Sequence, residues 1–145
     1  MCTCIKAAEY FLSLQTEDAG DAISNMKLQK LLYYAQGFSL AILGKPLFDE
    51  DFEAWEYGPV LRKIYEKYKY YGDKALPKPE NFSFDPYTDE EKKLFDEVYD
   101  AFGQYSAWAL SDMTHQTQPW KDATRNGIIS KESMKNYFLT QVVHE

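Results

Sequence analysis

Between Leu28 and Ile42 the apolar residues Leu28, Leu31, Leu32, Ala35, Phe38 and Ile42 recur at steps of three and four. That spacing puts them on one wide face of a helix of about four turns. Ser24 or Asn25 can cap its start by accepting a bond from a free amide of the first turn, and Gly44 and Pro46 stop it. A face this wide has to be covered, so the remaining segments must supply layers that pack on it.

Most of those segments read as helices too. Ile5, Ala8, Phe11 and Leu12 share one side of a helix from about Thr3 to Leu14, and a polar turn from Thr16 to Asn25, containing Gly20, follows it. Gly58-Pro59 is expected to open a third helix with Leu61, Ile64, Tyr65 and Tyr68 inward and Gly72 at its end. Residues 76–87 hold three prolines and read as an extended loop. Thr88 and Glu91 have capping-box spacing ahead of a helix whose inner residues are Leu94, Phe95, Val98, Tyr99 and Phe102. Ser106 caps a helix to about His115 that Pro119 interrupts, and Ser130 caps a last one with Met134, Phe138 and Val142 inward. Phe52–Tyr57 breaks the helical period with alternation and three aromatics, which predicts a short strand, paired with a second at Ile128-Ile129. The expected fold is mainly α: one domain over residues 1–145, about six helices and a two-stranded β element.

At 145 residues, with 45% hydrophobic and 27% charged, the chain can bury a core without disulfides or metals. Cys2 and Cys4 are its two cysteines, and their Cys-x-Cys spacing does not fit structural zinc. A lone pair so placed suits a reducing compartment. The absence of a signal-like apolar segment or an apolar run of about 18 residues adds the expectation of a cytoplasmic protein outside the membrane. The first 72 residues carry 8 Lys/Arg against 10 Asp/Glu, and the remaining 73 carry 8 against 13, for a net charge of −7. No basic stripe displaces phosphate counterions, so nucleic acid is an unfavourable partner for the chain alone.

Searching for chemistry returns little. There is no phosphate-cradling glycine loop, no G-x-S-x-G turn and no His-Glu-x-x-His pair, and histidine occurs only at His115 and His144. The acidic runs Asp49–Asp51 and Asp89–Glu91 read as solvated loop and helix N-terminal charge. His115 lies four residues before Pro119, where the helix must break, and an imidazole N–H there can satisfy a stranded carbonyl. No catalytic residue, cofactor or metal is assigned. Aromatic residues are abundant at 17%, half of them tyrosine, a type suited to surfaces that alternate between water and a partner. Lys27, Lys30 and Tyr34 share one side of the long helix, as a solvated edge, as a contribution to the core, or as a basic-aromatic contact strip. With Tyr70 and Tyr71 they form the candidate partner-binding set, in which Lys30 would meet a partner carboxylate. Trp55 and Tyr57 are expected to pack against the long helix.

Three segments taken together, Met26–Gly37, Ala54–Val60 and Leu110–Trp120, resemble in order and spacing the Panacea domain, the SocA-like antitoxin family often met as phage-associated proteins. The resemblance spans about residues 3–140, and Trp55, Tyr57, Gly58, Pro59, His115, Pro119 and Trp120 are its motif positions, read as structural. Thr117 departs from it, since many members carry an acidic residue there. What the resemblance implies is a non-enzymatic antitoxin that binds and neutralises a cognate toxin protein. Toxins of several unrelated kinds accompany the family. In one branch the antitoxin resembles an adaptor that delivers its toxin to a Clp-type protease. A third reading is a DNA-binding regulator of its own operon, against which the acidic balance argues.

Overall fold

The computed structural model describes residues 2–15 and 22–142; the turn expected from Thr16 and the second histidine, His144, lie outside the described residues or at their edge. The chain runs α1 (Cys4–Ser13), α2 (Asn25–Phe38), β1 (Phe52–Trp55), β2 (Gly58–Val60), α3 (Arg62–Tyr68), α4 (Asp89–Phe102), α5 (Ala107–His115), α6 (Gln118–Asp122), β3 (Ile128–Ile129) and α7 (Lys131–Gln141). The mainly α expectation holds.

Local signals behave as the sequence implies. Ser24, Ser106 and Ser130 each accept a backbone N–H three residues on, and Thr88 with Glu91 forms a complete capping box. Gly44 closes the long helix in the left-handed region at φ 73°. Before that, residues Ser39–Leu43 widen into a π-helical turn, with Ser39 Oγ donating to Lys45 O at 2.7 Å. The wider turn shifts the face, and Ile42, expected inside, is 53% exposed.

The sheet differs from expectation. It has three strands in the order β2-β1-β3, all antiparallel. The expected pairing of Ile128-Ile129 with the first strand is present, through Phe52↔Ile129 and Glu53↔Ile128. The unexpected strand is Gly58–Val60, which folds back on β1 through a two-residue loop with Trp55↔Gly58 and Ala54↔Pro59 in register. Pro59 therefore sits in an edge strand, where a missing N–H is tolerated, and α3 starts only at Arg62.

α2 is the axis of the fold. Twelve of its fourteen residues are buried, because α1, α3, α4, α5, α7 and β2 all pack on it. A helix covered on every side must find internal partners for its polar groups. Gln29 Oε1 accepts the Leu61 N–H at 2.8 Å, and Gln36 bonds both Leu47 N and Phe48 O. α7 approaches so closely that a Cβ on Gly37 would overlap the Phe138 ring. Tyr10 of α1 gathers Phe82, Phe84, Tyr87 and Phe95, which pins the proline-containing loop onto the core.

Candidate functional site: the hairpin turn and its cleft

The β1–β2 turn is strapped to the helices through three consecutive carbonyls. Trp120 Nε1 donates to Trp55 O at 2.9 Å, His115 Nε2 lies 2.6 Å from Glu56 O, and Ser111 Oγ donates to Tyr57 O at 2.7 Å. Pro119 makes this possible by starting α6 rather than merely ending α5, which turns Trp120 back toward the hairpin. The Trp120 ring meets His115 edge-on at 4.3 Å and carries the Arg125 guanidinium 4.1 Å from its centre. His115 Nδ1 is also 2.6 Å from Ser111 O. Both ring nitrogens thus face backbone carbonyls, which agrees with the carbonyl-satisfying role read from the break before Pro119.

Gly58 brings the turn down onto α2. Its φ of 119° is closed to most side chains, and a Cβ there would lie 2.8 Å from Thr114 Oγ1 and 2.9 Å from Lys30 Cε. The small residue and its conformation are both required by this contact. Beside it opens a cleft of about 480 Å³ lined by Met26, Gln29, Lys30, Trp55, Tyr57 and Tyr65, among others. Trp55 is half-buried. Its indole donates to Glu53 Oε1 at 3.1 Å and meets Tyr65 of α3 at 5.0 Å, and it faces the α2 residues Met26, Gln29 and Lys30 across the cleft. Arg62 holds Glu53 at 2.9 Å and keeps that carboxyl below its usual range. Tyr57 departs from expectation: it is 53% exposed and packs on Trp108, itself 63% exposed.

The candidate contact strip on α2 is corrected. Lys27, Lys30 and Tyr34 are all buried. Lys27 Nζ donates to Gly103 O at 2.5 Å, and Tyr34 stacks on Phe102 at 4.1 Å, with the rings 8° apart. These two complete the core. Their apparent polarity on a helical wheel reflects long side chains whose ends reach partners on other elements. Lys30 lines the cleft, and burial pulls its ammonium down from 10.5 to about 7. Tyr70 is 90% exposed and Tyr71 is exposed as well, on a turn whose Lys69 and Gly72 reach the cleft rim. Trp108 went unnoticed in the sequence, Ser111 stands there only as part of the Leu110–Trp120 motif, and Tyr65, expected inward, is 37% exposed at the cleft. Trp108, Ser111 and His115 follow one another at steps of three and four on a single helix, a pattern that could have grouped them.

Other chemistry is sparse. Thr117 Oγ1 bonds Tyr33 OH at 2.7 Å and donates to Thr114 O at 2.6 Å. Burial pushes the Cys2 and Cys4 thiols up to about 12, which favours the protonated thiol over the nucleophilic thiolate. Among the described residues no three His, Cys, Asp or Glu side chains cluster to hold a metal ion, and no helix is long and apolar enough to cross a membrane.

Comparison with known proteins agrees with the motif pattern. Over 54 residues the chain is 46% identical to a protein of Caulobacter vibrioides (strain NA1000 / CB15N) described as "Antitoxin SocA", an alignment that covers 37% of this chain and 29% of that relative. The match thus spans under a third of the relative's own length. No solved structure is significantly similar. The family model described as "Antitoxin SocA-like, Panacea domain" matches residues 28–121, from α2 through the strapped hairpin to α6. With well over half of its length matched in that way, the chain belongs to the SocA-like Panacea domain family.

Proposed function

We propose that this protein is an antitoxin that neutralises a toxin protein by binding it directly, and that it turns over no substrate. The observation that carries the reading is the set of exposed aromatic side chains around the hairpin cleft: Tyr57 against Trp108, then Tyr65, Tyr70 and Tyr71. Neutralisation at cellular concentrations calls for roughly nanomolar binding, or ~12 kcal/mol. Interfaces of that strength bury at least ~1,200 Å² and depend on a few anchors, with Tyr, Trp and Arg over-represented. An aromatic rim supplies such anchors at low entropic cost, since each ring has only two side-chain torsions to fix. The neighbours of His115 support the absence of catalysis, because each of its ring nitrogens lies 2.6 Å from a backbone carbonyl and the N–H of a neutral ring donates to one of them.

The test is co-expression with the adjacent reading frame, which should resist cloning without this gene. The Tyr57→Ala, Trp108→Ala double variant should keep its stability within ~0.5–1 kcal/mol, since both rings are largely in solvent, yet lose protection and complex formation on a sizing column. Full protection by that variant would place the contact surface elsewhere. Following toxin abundance during protection separates masking, which leaves toxin levels unchanged, from delivery to a Clp-type protease, which lowers them.

A further inference from the structure

Lys30 is 1% exposed, and its ammonium has a single long contact, 3.4 Å to Pro59 O. Among the described residues no carboxylate stands within ion-pair distance of it. The polar groups nearby are already committed: Gln29 to Asn25 and Leu61, and Thr114 Oγ1 to Ser111 O. A buried cation without a counter-charge is costly, so an incoming carboxylate would find it unpaired. Lys30 is not sealed away, because it lines the cleft with the Trp55–Tyr65 ring pair and Met26.

We propose that this cleft receives an aspartate or glutamate side chain of the partner protein, whose carboxylate pairs with Lys30 while its neighbours pack on Trp55 and Tyr65. At about 480 Å³ the space suits a side chain with the backbone on either side of it. The chemistry rests on the cleft alone; only the identification of the partner as a toxin rests on the antitoxin reading. The rim already carries Glu56, exposed and in no ion pair among the described residues. Its charge repels free inorganic anions, whereas a carboxylate carried on a peptide side chain brings compensating contacts of its backbone and neighbours with the cleft walls. Lys69, also on the rim, is held by Glu66 at 2.8 Å, so Lys30 is the cation left to be neutralised.

The experiment titrates the full chain, observed by NMR, with N-acetyl-Ala-Glu-Ala-amide, its Gln counterpart and inorganic phosphate. Saturable shifts at Lys30, Trp55 and Tyr65 are expected with the Glu peptide, about tenfold tighter than with the Gln peptide and absent with Lys30→Met. Met26→Glu, which places a carboxylate one turn before Lys30 on the same helix face, should abolish binding in the same way and keeps the test open if Lys30→Met does not fold. Equal binding of the Glu and Gln peptides, or tighter binding of phosphate than of the Glu peptide, would overturn the proposal. In a second arm, Lys30→Met and Met26→Glu should each weaken the complex with the toxin of the adjacent reading frame at least tenfold. A toxin bound equally by both variants and the parent removes the cleft proposal and leaves the antitoxin reading standing. A parent chain that binds the Glu peptide but no toxin has the reverse meaning.

Discussion

Replacing Lys30 by Met keeps the length and shape of the side chain and removes its charge, so the change in stability reads the cost of that charge. A fall from 10.5 to about 7 at ~1.4 kcal/mol per pH unit corresponds to a destabilisation on the order of 5 kcal/mol, an upper bound because the unfolded chain is not fully solvated. The direction with pH follows from proton counting. Below about pH 7 both folded and unfolded chains hold the proton, and the full penalty is present. Above it the folded chain releases the proton while the unfolded chain keeps it until its ordinary value near 10.5, so wild-type stability rises with pH across that window. Urea unfolding of both proteins from about pH 6 to about pH 8.5 should therefore show Lys30→Met the more stable throughout, with the gap shrinking by ~2 kcal/mol toward the alkaline end. Titration of Cys2 and Cys4, pushed up from 9.0 to about 12, enters both proteins alike and cancels in the difference. A variant less stable than wild type, or two parallel pH profiles, would refute the reasoning and show that Lys30 has a counter-charge in solution.

Three further outcomes follow from the packing. Tyr34→Ala should destabilise by ~3–5 kcal/mol, because it removes a buried ring stacked on Phe102 and touching Phe138; calorimetry that finds an unshifted melting temperature would return Tyr34 to the surface. Gly58→Ala should cost at least ~1–3 kcal/mol, from a φ of 119° and the close approach to Lys30 and Thr114, read as a lowered urea midpoint at unchanged slope. His115→Ala should cost ~0.5–1.5 kcal/mol by removing its contact to the exposed Glu56 carbonyl, with hydrogen exchange rising first in the hairpin. An intact hairpin in that variant would mean that Trp120 and Ser111 alone hold the turn.

What the sequence by itself determined was local. The caps at Ser24, Ser106, Ser130 and the Thr88–Glu91 box, the stops at Gly44 and Gly72, and the break before Pro119 are all present, because each depends on groups within four residues of one another. Likewise the alternation at Phe52–Trp55 identified a strand, and the turn chemistry of Gly58-Pro59 was ambiguous between helix start and hairpin until a partner strand was in view. Only the tertiary structure decided which faces of α2 are covered. An apolar stripe shows that one side of a helix is buried but is silent about the others, and with packing partners on every side Lys27, Lys30 and Tyr34 were drawn inside. The site followed the same rule. Trp55, Tyr57, Gly58, His115 and Trp120 are legible as a motif, yet their common purpose, to hold three successive carbonyls of one turn, exists only once α5 and α6 stand beside the hairpin. Hydrogen bonds and burial between residues about 50 to 65 positions apart are made by chain topology, and no local spacing encodes them.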